Sequence, residues 1–272
     1  MDAVKQEPVL ARLAATISAT LDRIESHKRA LIVATVTIVL LNVSFWAFHV
    51  AVAGDLGWRL GVDYRLYMFA TDRWLHGAGF YQLWQLTGPY PIPTLVGSLP
   101  DLLVLYPPVA IPLFLPWALL PVLWPLWWAI PLGIIAACVI RMRPRVLLWP
   151  VLAIFAVSTE AIWLTLSGNP IMWAAAAFAT GLLVGWPAVF VLLKPTMAPF
   201  ALLGIGRRTW WMALAVLVAA SVPFGSMWLD WIAAVRNSGG DIAYGLNNVP
   251  LFLCISIAWL GRRPDKGTHG TP

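Results

Sequence analysis

Between Arg29 and Asp55 the chain carries no lysine, arginine, aspartate or glutamate, and residues 30–53 read ALIVATVTIVLLNVSFWAFHVAVA. A helix needs about 20 such residues to cross the hydrocarbon core of a bilayer. Backbone N–H and C=O groups in hydrocarbon must also be satisfied within the chain. The run therefore predicts a membrane helix, and similar runs recur as far as Leu260. Of 272 residues, 60% are apolar and only 11% charged, with a mean hydropathy of +0.79. Soluble domains do not have that composition. The expected class is an all-α polytopic protein of the cell membrane.

The formal charge of +6 gathers in short tracts between apolar runs. That pattern fits the preference of lysine and arginine for cytoplasmic loops and argues against a nucleic-acid partner. Seventeen tryptophans suit the headgroup level, where an amphipathic ring is favoured. Cys138 and Cys254 both lie inside apolar runs, so neither points to a disulfide framework. The first apolar run is too long for a signal-peptide core and lacks a small-residue cleavage pattern, so it is expected to remain as a span.

Residues 1–29 form the first unit. Within it Leu10, Leu13, Ile17, Leu21 and Ile24 recur at spacings of three and four, which predicts an amphipathic helix on the cytoplasmic membrane surface. Residues 30–260 are the membrane bundle, with one large outside loop at 54–101. Residues 261–272, GRRPDKGTHGTP, read as a disordered basic cytoplasmic tail. In the outside loop, residues 63–76 read as a short helix, and prolines and glycines break 88–100 into irregular chain. About seven crossings are expected, with the N-terminus cytoplasmic.

One conflict stands in that topology. Two full crossings between residues 102 and 140 would put Arg141, Arg143 and Arg145 outside, against the rule that arginines stay in the cytoplasm. Either residues 102–121 are partly re-entrant, or a helix lies in the interface, or the rule fails here. The last apolar run, Val249 to Leu260, is 12 residues long. As a helix it rises about 18 Å, against a hydrocarbon core of roughly 30 Å.

Groups capable of chemistry concentrate in GVDYRLYMFATDRWLHGAGFY, residues 61–81. Asp63 follows the first span by ten residues and is the candidate general base for a hydroxyl approaching a lipid-borne donor. Tyr67 shares its helical face. Asp55 is an alternative base, and Asp72 with His76 form a second polar pair four residues apart. Each also has an ordinary role in capping and solubility. Arg59, Arg65 and Arg73 could grip phosphate oxygens through their planar guanidinium groups or simply neutralise the neighbouring acids. Tyr106, Pro107 and Pro108 stiffen the entrance of the next apolar run and could shape a lipid groove or merely start a helix. Glu160 sits in an apolar segment, where an acid needs a partner or a wet cavity. Lys194 either snorkels to an interface or, if deeper, pairs with Glu160. No zinc-ligand spacing, glycine-rich phosphate loop or serine-hydrolase elbow occurs.

The 61–81 stretch followed by VLYPPVAIPLFLPWALLP resembles the start of the GT-C class of membrane glycosyltransferases, specifically the polyprenyl-phosphate-mannose-dependent enzymes of glycosyltransferase family 87. Asp63, Tyr67, Ala70, Leu75, Gly77, Tyr81, Tyr106, Pro107 and Pro108 carry the resemblance, and VLLKPTMAPFALLGIGRRTWW at 191–211 is similar to the family's lysine and proline helix with its basic turn. The resemblance implies a GT-C-like helical bundle. It implies inverting transfer of a sugar, often mannose, from a polyprenyl phosphate donor at the outer face, with Asp63 as base and neither metal nor cofactor. The chain is shorter on its C-terminal side than such enzymes, and Gly168, Asn169 and Pro170 stand where they commonly carry glycine and glutamine beside an asparagine. A membrane partner completing the bundle follows from the shortening. Two other classes stay open: a small transporter or flippase using Glu160 and Lys194, and a non-catalytic membrane assembly subunit.

Overall fold

A computed structural model describes residues 26–53, 60–88, 103–238 and 247–262, together with Thr16, Ala19, Thr20, Arg23 and Ile24. Asp55, Arg59, nearly all of the amphipathic segment, the proline-rich stretch before Asp101 and the tail beyond Arg262 lie outside the described residues. Among the described residues the chain is all-helical, with no strand and one isolated bridge between Pro144 and Arg262.

The first helix, α1 (Lys28–Ala53), takes up the opening apolar run. Then come α2 (Val62–Leu75), the short α3 (Leu83–Thr87) and α4 (Ile111–Leu119), the last led by a 3-10 turn at Pro108–Ala110. The long α5 spans Trp124–Met142. After the arginines come two helices rather than one continuous apolar span, α6 (Trp149–Ala156) and α7 (Thr159–Ser167), bent by 59°. The physical reason is Ser158, whose hydroxyl accepts from Ala161 N at 3.3 Å and so starts a new helix. After the break at Gly168 comes α8 (Ile171–Val184). At Gly185, φ 92°, the chain turns back into a 3-10 segment, Trp186–Leu193. Two short segments thus meet at Trp186 and Pro187. A four-residue helix, α9 (Ala198–Ala201), leads through a 3-10 turn to α10 (Arg208–Ser221). The mixed region after Gly225 is helical over α11 (Met227–Asn237), and α12 (Val249–Leu260) closes the described chain.

Two helical stretches are long and apolar enough to cross a membrane, Lys28–His49 and Pro121–Met142, or up to four if each bent pair counts as one span. The second bent pair, Arg208–Phe224 with Met227–Asn237, turns by 93°. Three shorter apolar helices, Pro108–Leu119, Ile171–Val184 and Val249–Leu260, fall below that length. No residue of the apolar window of α1 is fully buried in the fold, although the helix packs on one side against α6 and the turn at Val146–Leu148. The protein is a membrane-associated helical protein.

Two cores divide the interior. One packs α5, α6, α8 and α12 around Phe178, Ile171, Phe252 and Ile255. The other is aromatic and joins α2, α4 and the start of α5 through Tyr67, Tyr106, Phe114 and Trp127. Tyr67 stacks on Phe114 at 5.0 Å between ring centres, and Trp117 meets Trp127 edge-on at 5.6 Å. Pairs of this kind contribute about 0.5–1.5 kcal/mol beyond the area they bury.

The arginine conflict has a structural answer. Residues 108–119 form a short helix lying along α2, while α5 alone has the length to cross. At the near end of α5, the indoles of Trp127 and Trp128 donate to Gly168 O and Thr165 O at 2.8 and 2.7 Å. At its far end Arg145 N donates to Gly261 O at 3.0 Å, and Pro144 pairs with Arg262. Arg141, Arg143, Arg145 and Arg262 therefore gather at one end of the bundle, a helix length of roughly 28 Å from α2. In a Cys138→Ala, Cys254→Ala background, Arg143→Cys and Arg262→Cys are expected to react with a membrane-impermeant maleimide from one side of a sealed vesicle, and Ala78→Cys from the other. Labelling of all three from the same side would contradict this layout.

Candidate functional site

The turn at residues 167–170 organises the site. Gly168 adopts φ 71°, a left-handed conformation that favours glycine. A Cβ there would meet the Trp128 ring at 2.7 Å and Tyr64 Cβ at 2.9 Å. The glycine is thus demanded by both torsion and space. Asn169 follows, only 5% exposed, and its amide is used at both ends. Its Oδ1 accepts from Ile171 N at 3.0 Å, satisfying a free donor at the start of α8. Its Nδ2 donates to Asp63 Oδ2 at 2.8 Å.

Asp63 reaches that amide because α2 begins beside α7. Gly61, at φ 68°, precedes the helix and donates its N–H to Leu166 O at 2.8 Å. The carboxylate consequently sits in the first turn of α2, where the helix dipole favours negative charge. Lys194 arrives from the end of the 3-10 segment, 5% exposed, with Nζ 5.0 Å over the Tyr106 ring. Its charge acts on Asp63. Burial raises the Asp63 pKa above the ordinary carboxylate value, and the Ser167 and Asn169 side chains and the Lys194 charge pull it back part of the way.

A cavity of about 520 Å³ opens beside this cluster, walled by Tyr106, Leu113, Pro170, Trp173, Phe190 and Leu193 among others. Its lining is almost wholly apolar. The Trp173 indole N–H is a buried donor without a hydrogen-bond partner among the described residues, and Trp173 lines the same cavity as Tyr106, the residue under Lys194. Such a shape accepts a long apolar group with a polar end.

The other candidates are distributed unevenly. Tyr67 is buried in the aromatic core one turn from Asp63, stacked on Phe114 and edge-on to Tyr106. Tyr106 lines the cavity, whereas Pro107 and Pro108 are buried at the start of the 3-10 turn and open the α4 segment. Arg65 donates to Leu60 O at 2.8 Å. Arg73 Nη2 reaches the carbonyls of Ala78, Gly79 and Tyr81 at 3.3, 3.0 and 3.4 Å. Both arginines hold backbone turns. Asp72 and His76 pair at 3.4 Å on the exposed face, about 14 Å along α2 from Asp63. Glu160 lies in the first turn of α7, roughly 10 Å along that helix from Ser167. The expected Glu160–Lys194 pair is therefore corrected: Lys194 faces Asp63, because the 3-10 segment folds back toward α2. No group of three or more histidine, cysteine, aspartate or glutamate side chains among the described residues could hold a metal ion.

Sequence reasoning noted Asn169 but gave it no role at the site, and it passed over Ser167 and the tryptophan pair Trp127 and Trp128. The available signal was an asparagine between glycine and proline at a helix break, a position where a side-chain amide readily caps. No protein-family model matches this chain, and no curated protein and no solved structure matches it.

Two expectations follow from the geometry. Gly168→Ala should lower stability by about 1–3 kcal/mol, read as a fall in the thermal midpoint of the detergent-solubilised protein. The raised Asp63 pKa means the native state holds this proton more tightly than the unfolded chain. The resulting stabilisation is full below the ordinary value of 3.8 and is lost as pH rises through the raised one. Lys194→Met removes the cation that opposes the shift, so the Asp63 proton should leave at a higher pH still. An infrared titration of the carboxyl band, identified by its loss in Asp63→Asn, measures this; a downward movement would contradict the assignment.

Proposed function

We propose that this chain is a membrane glycosyltransferase that moves a sugar, mannose by its resemblance to the family 87 enzymes, from a polyprenyl phosphate donor to a lipid-linked or glycan acceptor. The observation that carries the reading is the Asp63, Asn169 and Lys194 cluster placed at the edge of an apolar cavity. An apolar tail would occupy the cavity, and its phosphate would meet the Lys194 ammonium and the unpartnered Trp173 N–H. The phosphate role thus passes from Arg65 and Arg73, which hold turns, to Lys194.

In the reaction, the acceptor oxygen forms its bond to the anomeric carbon as Asp63 takes the hydroxyl proton. The bond from that carbon to the phosphate oxygen breaks on the opposite face, and the phosphate leaves with the electron pair. Inversion follows. The departing phosphate needs electrostatic stabilisation more than a proton, which a buried ammonium supplies. Before donor binding the Lys194 charge opposes the rise that burial imposes on the Asp63 pKa; donor phosphate would draw the ammonium away and leave the carboxylate a stronger base.

The same proposal places the N-terminus and the arginine end of the bundle in the cytoplasm and Asp63 outside. With 108–119 short of a crossing, this sidedness gives six crossings, each bent pair counting as one and α8 and α12 reaching across with help from neighbouring protein. Membrane lipids, the lipid-linked donor and a membrane partner completing the bundle are the partners this reading calls for. Transport through a Glu160–Lys194 pair has no geometric support, since Lys194 faces Asp63.

The test is mass spectrometry of lipid and glycan products after reconstitution with polyprenyl phosphate sugars. Wild type should form glycosidic product, and Asp63→Asn should lose at least a hundredfold in rate, the scale of general-base catalysis. Ala177→Phe, which narrows the cavity, should raise the donor KM with little change in kcat. Product formation by Asp63→Asn at the wild-type rate would remove the assigned base.

A further inference from the structure

A second cavity, of about 530 Å³, lies past the far end of α2, between the turn at 77–81, α3 and α11. Its walls include Trp74, Phe80, Tyr81, Leu83, Met227 and Asp230. Measured along α2, it begins about 16 Å from Asp63, so it is a separate cleft. Four sets of bonds fasten its walls. Arg73 holds the turn through the three carbonyls of Ala78, Gly79 and Tyr81. The Tyr81 hydroxyl donates to Tyr106 O at 2.7 Å, and Trp231 Nε1 donates to Leu105 O at 3.0 Å. Asn237 Nδ2 donates to Gln85 O and Leu86 O at 2.9 and 3.0 Å. These bonds clamp the middle of α11 to the stretch at 103–106 through Trp231 and its C-terminal end to α3 through Asn237. A cleft with walls bonded in this way keeps its shape while empty, which lowers the ordering cost of filling it.

Its chemistry differs from that of the apolar cavity. Asp230, in the first turn of α11, is half-buried, and among the described residues no hydrogen bond or ion pair engages its carboxylate. Tyr81 is near enough for the Asp230 charge to act on its hydroxyl, which burial and that charge both keep protonated. Gly77 and Gly79 take φ 78° and 82°, and a Cβ on Gly77 would meet nothing within 4 Å, so backbone lies open on that side. Aromatic walls, one ionised acceptor and open backbone suit a neutral polyol: the C–H face of a pyranose lies against a ring while neighbouring hydroxyls donate to the carboxylate. A carboxylate in the wall disfavours anions. The volume is within the usual range for small-molecule sites.

We propose that this cleft, between Trp74, Tyr81 and Asp230, binds neutral hexose units of the acceptor and so holds a glycan at a second point remote from Asp63. The proposal rests on the glycosyl-transfer reading for its biological sense, yet binding at the cleft is measured without turnover. Saturation-transfer NMR on the full-length, detergent-solubilised protein uses neutral mannotriose as probe and tetramethylammonium as the competing cationic probe. Wild type and Asp63→Asn should both show transfer to the sugar ring protons with equal affinity. Asp230→Asn and Trp74→Leu should bind the trisaccharide at least tenfold more weakly with an unchanged thermal midpoint. Should Trp74→Leu fail to fold, Met227→Trp, which fills the cleft, replaces it with the same expected loss.

Equal trisaccharide binding in the cleft variants and wild type would overturn the proposal. So would tetramethylammonium binding that depends on Asp230 while the trisaccharide does not bind, or the absence of binding by either probe. If wild type binds mannotriose through Asp230 but forms no glycosidic product, the cleft stands and the transfer reading falls. If product forms while the cleft variants bind mannotriose normally, the transfer reading stands and the cleft falls.

Discussion

The Asn169 amide is the fixed point of the site. It satisfies a backbone donor at the start of α8 with one atom and a carboxylate on α2 with the other, so two helices far apart in sequence are held by a single planar group. Its position depends on Gly168, whose torsion and lack of a side chain let Trp128 and Tyr64 close over the turn. The indoles of Trp127 and Trp128 then donate to the Gly168 and Thr165 carbonyls at the end of α7. Buried polar groups are stable only when their partners are in place, and here the partners come from α2, α5 and the turn between α7 and α8. Asp63, lying within a mostly apolar bundle, is tolerated for that reason.

Charge and apolar surface meet at Tyr106. Its ring lies under the Lys194 ammonium and its edge forms part of the cavity wall, while its carbonyl receives the Tyr81 hydroxyl. One residue therefore belongs to the aromatic core, the apolar cavity and the connection to the outer cleft. A cation over an aromatic face gains most where water is excluded, which helps an ammonium remain buried close to the carboxylate it balances.

Long apolar runs were legible because the bilayer imposes a length on them: α1 and α5 appear where 30–53 and the latter part of 102–140 predict them. The α2 helix was legible from its three-and-four spacing, and the 12-residue α12 has the bounds read from its apolar run. What remained hidden was set by contacts between distant residues. Nothing local to Lys194 says that a 3-10 segment folds it back onto α2, and nothing local to Asp63 says that an asparagine 106 positions away will bond it. The bend at Ser158 was a local signal, a serine ahead of an acidic first turn, outweighed by the apolar character of its surroundings. Asp72 and His76 share the helix with Asp63, but spacing along a helix says nothing about which stretch its neighbours cover.

The three short apolar helices carry a consequence for the lipid around them. Helices of 14 and 12 residues, α8 and α12, rise about 21 and 18 Å, against an acyl layer of roughly 30 Å. A mismatch of that size compresses the adjoining leaflets or tilts the protein within them, at a cost of fractions of a kcal/mol per Å. Where α8 borders the apolar cavity, a thinned leaflet carries headgroups inward toward the depth of Lys194. Under the proposed function, acyl-chain length in the host membrane would set how far a lipid-linked donor must leave its own layer to enter.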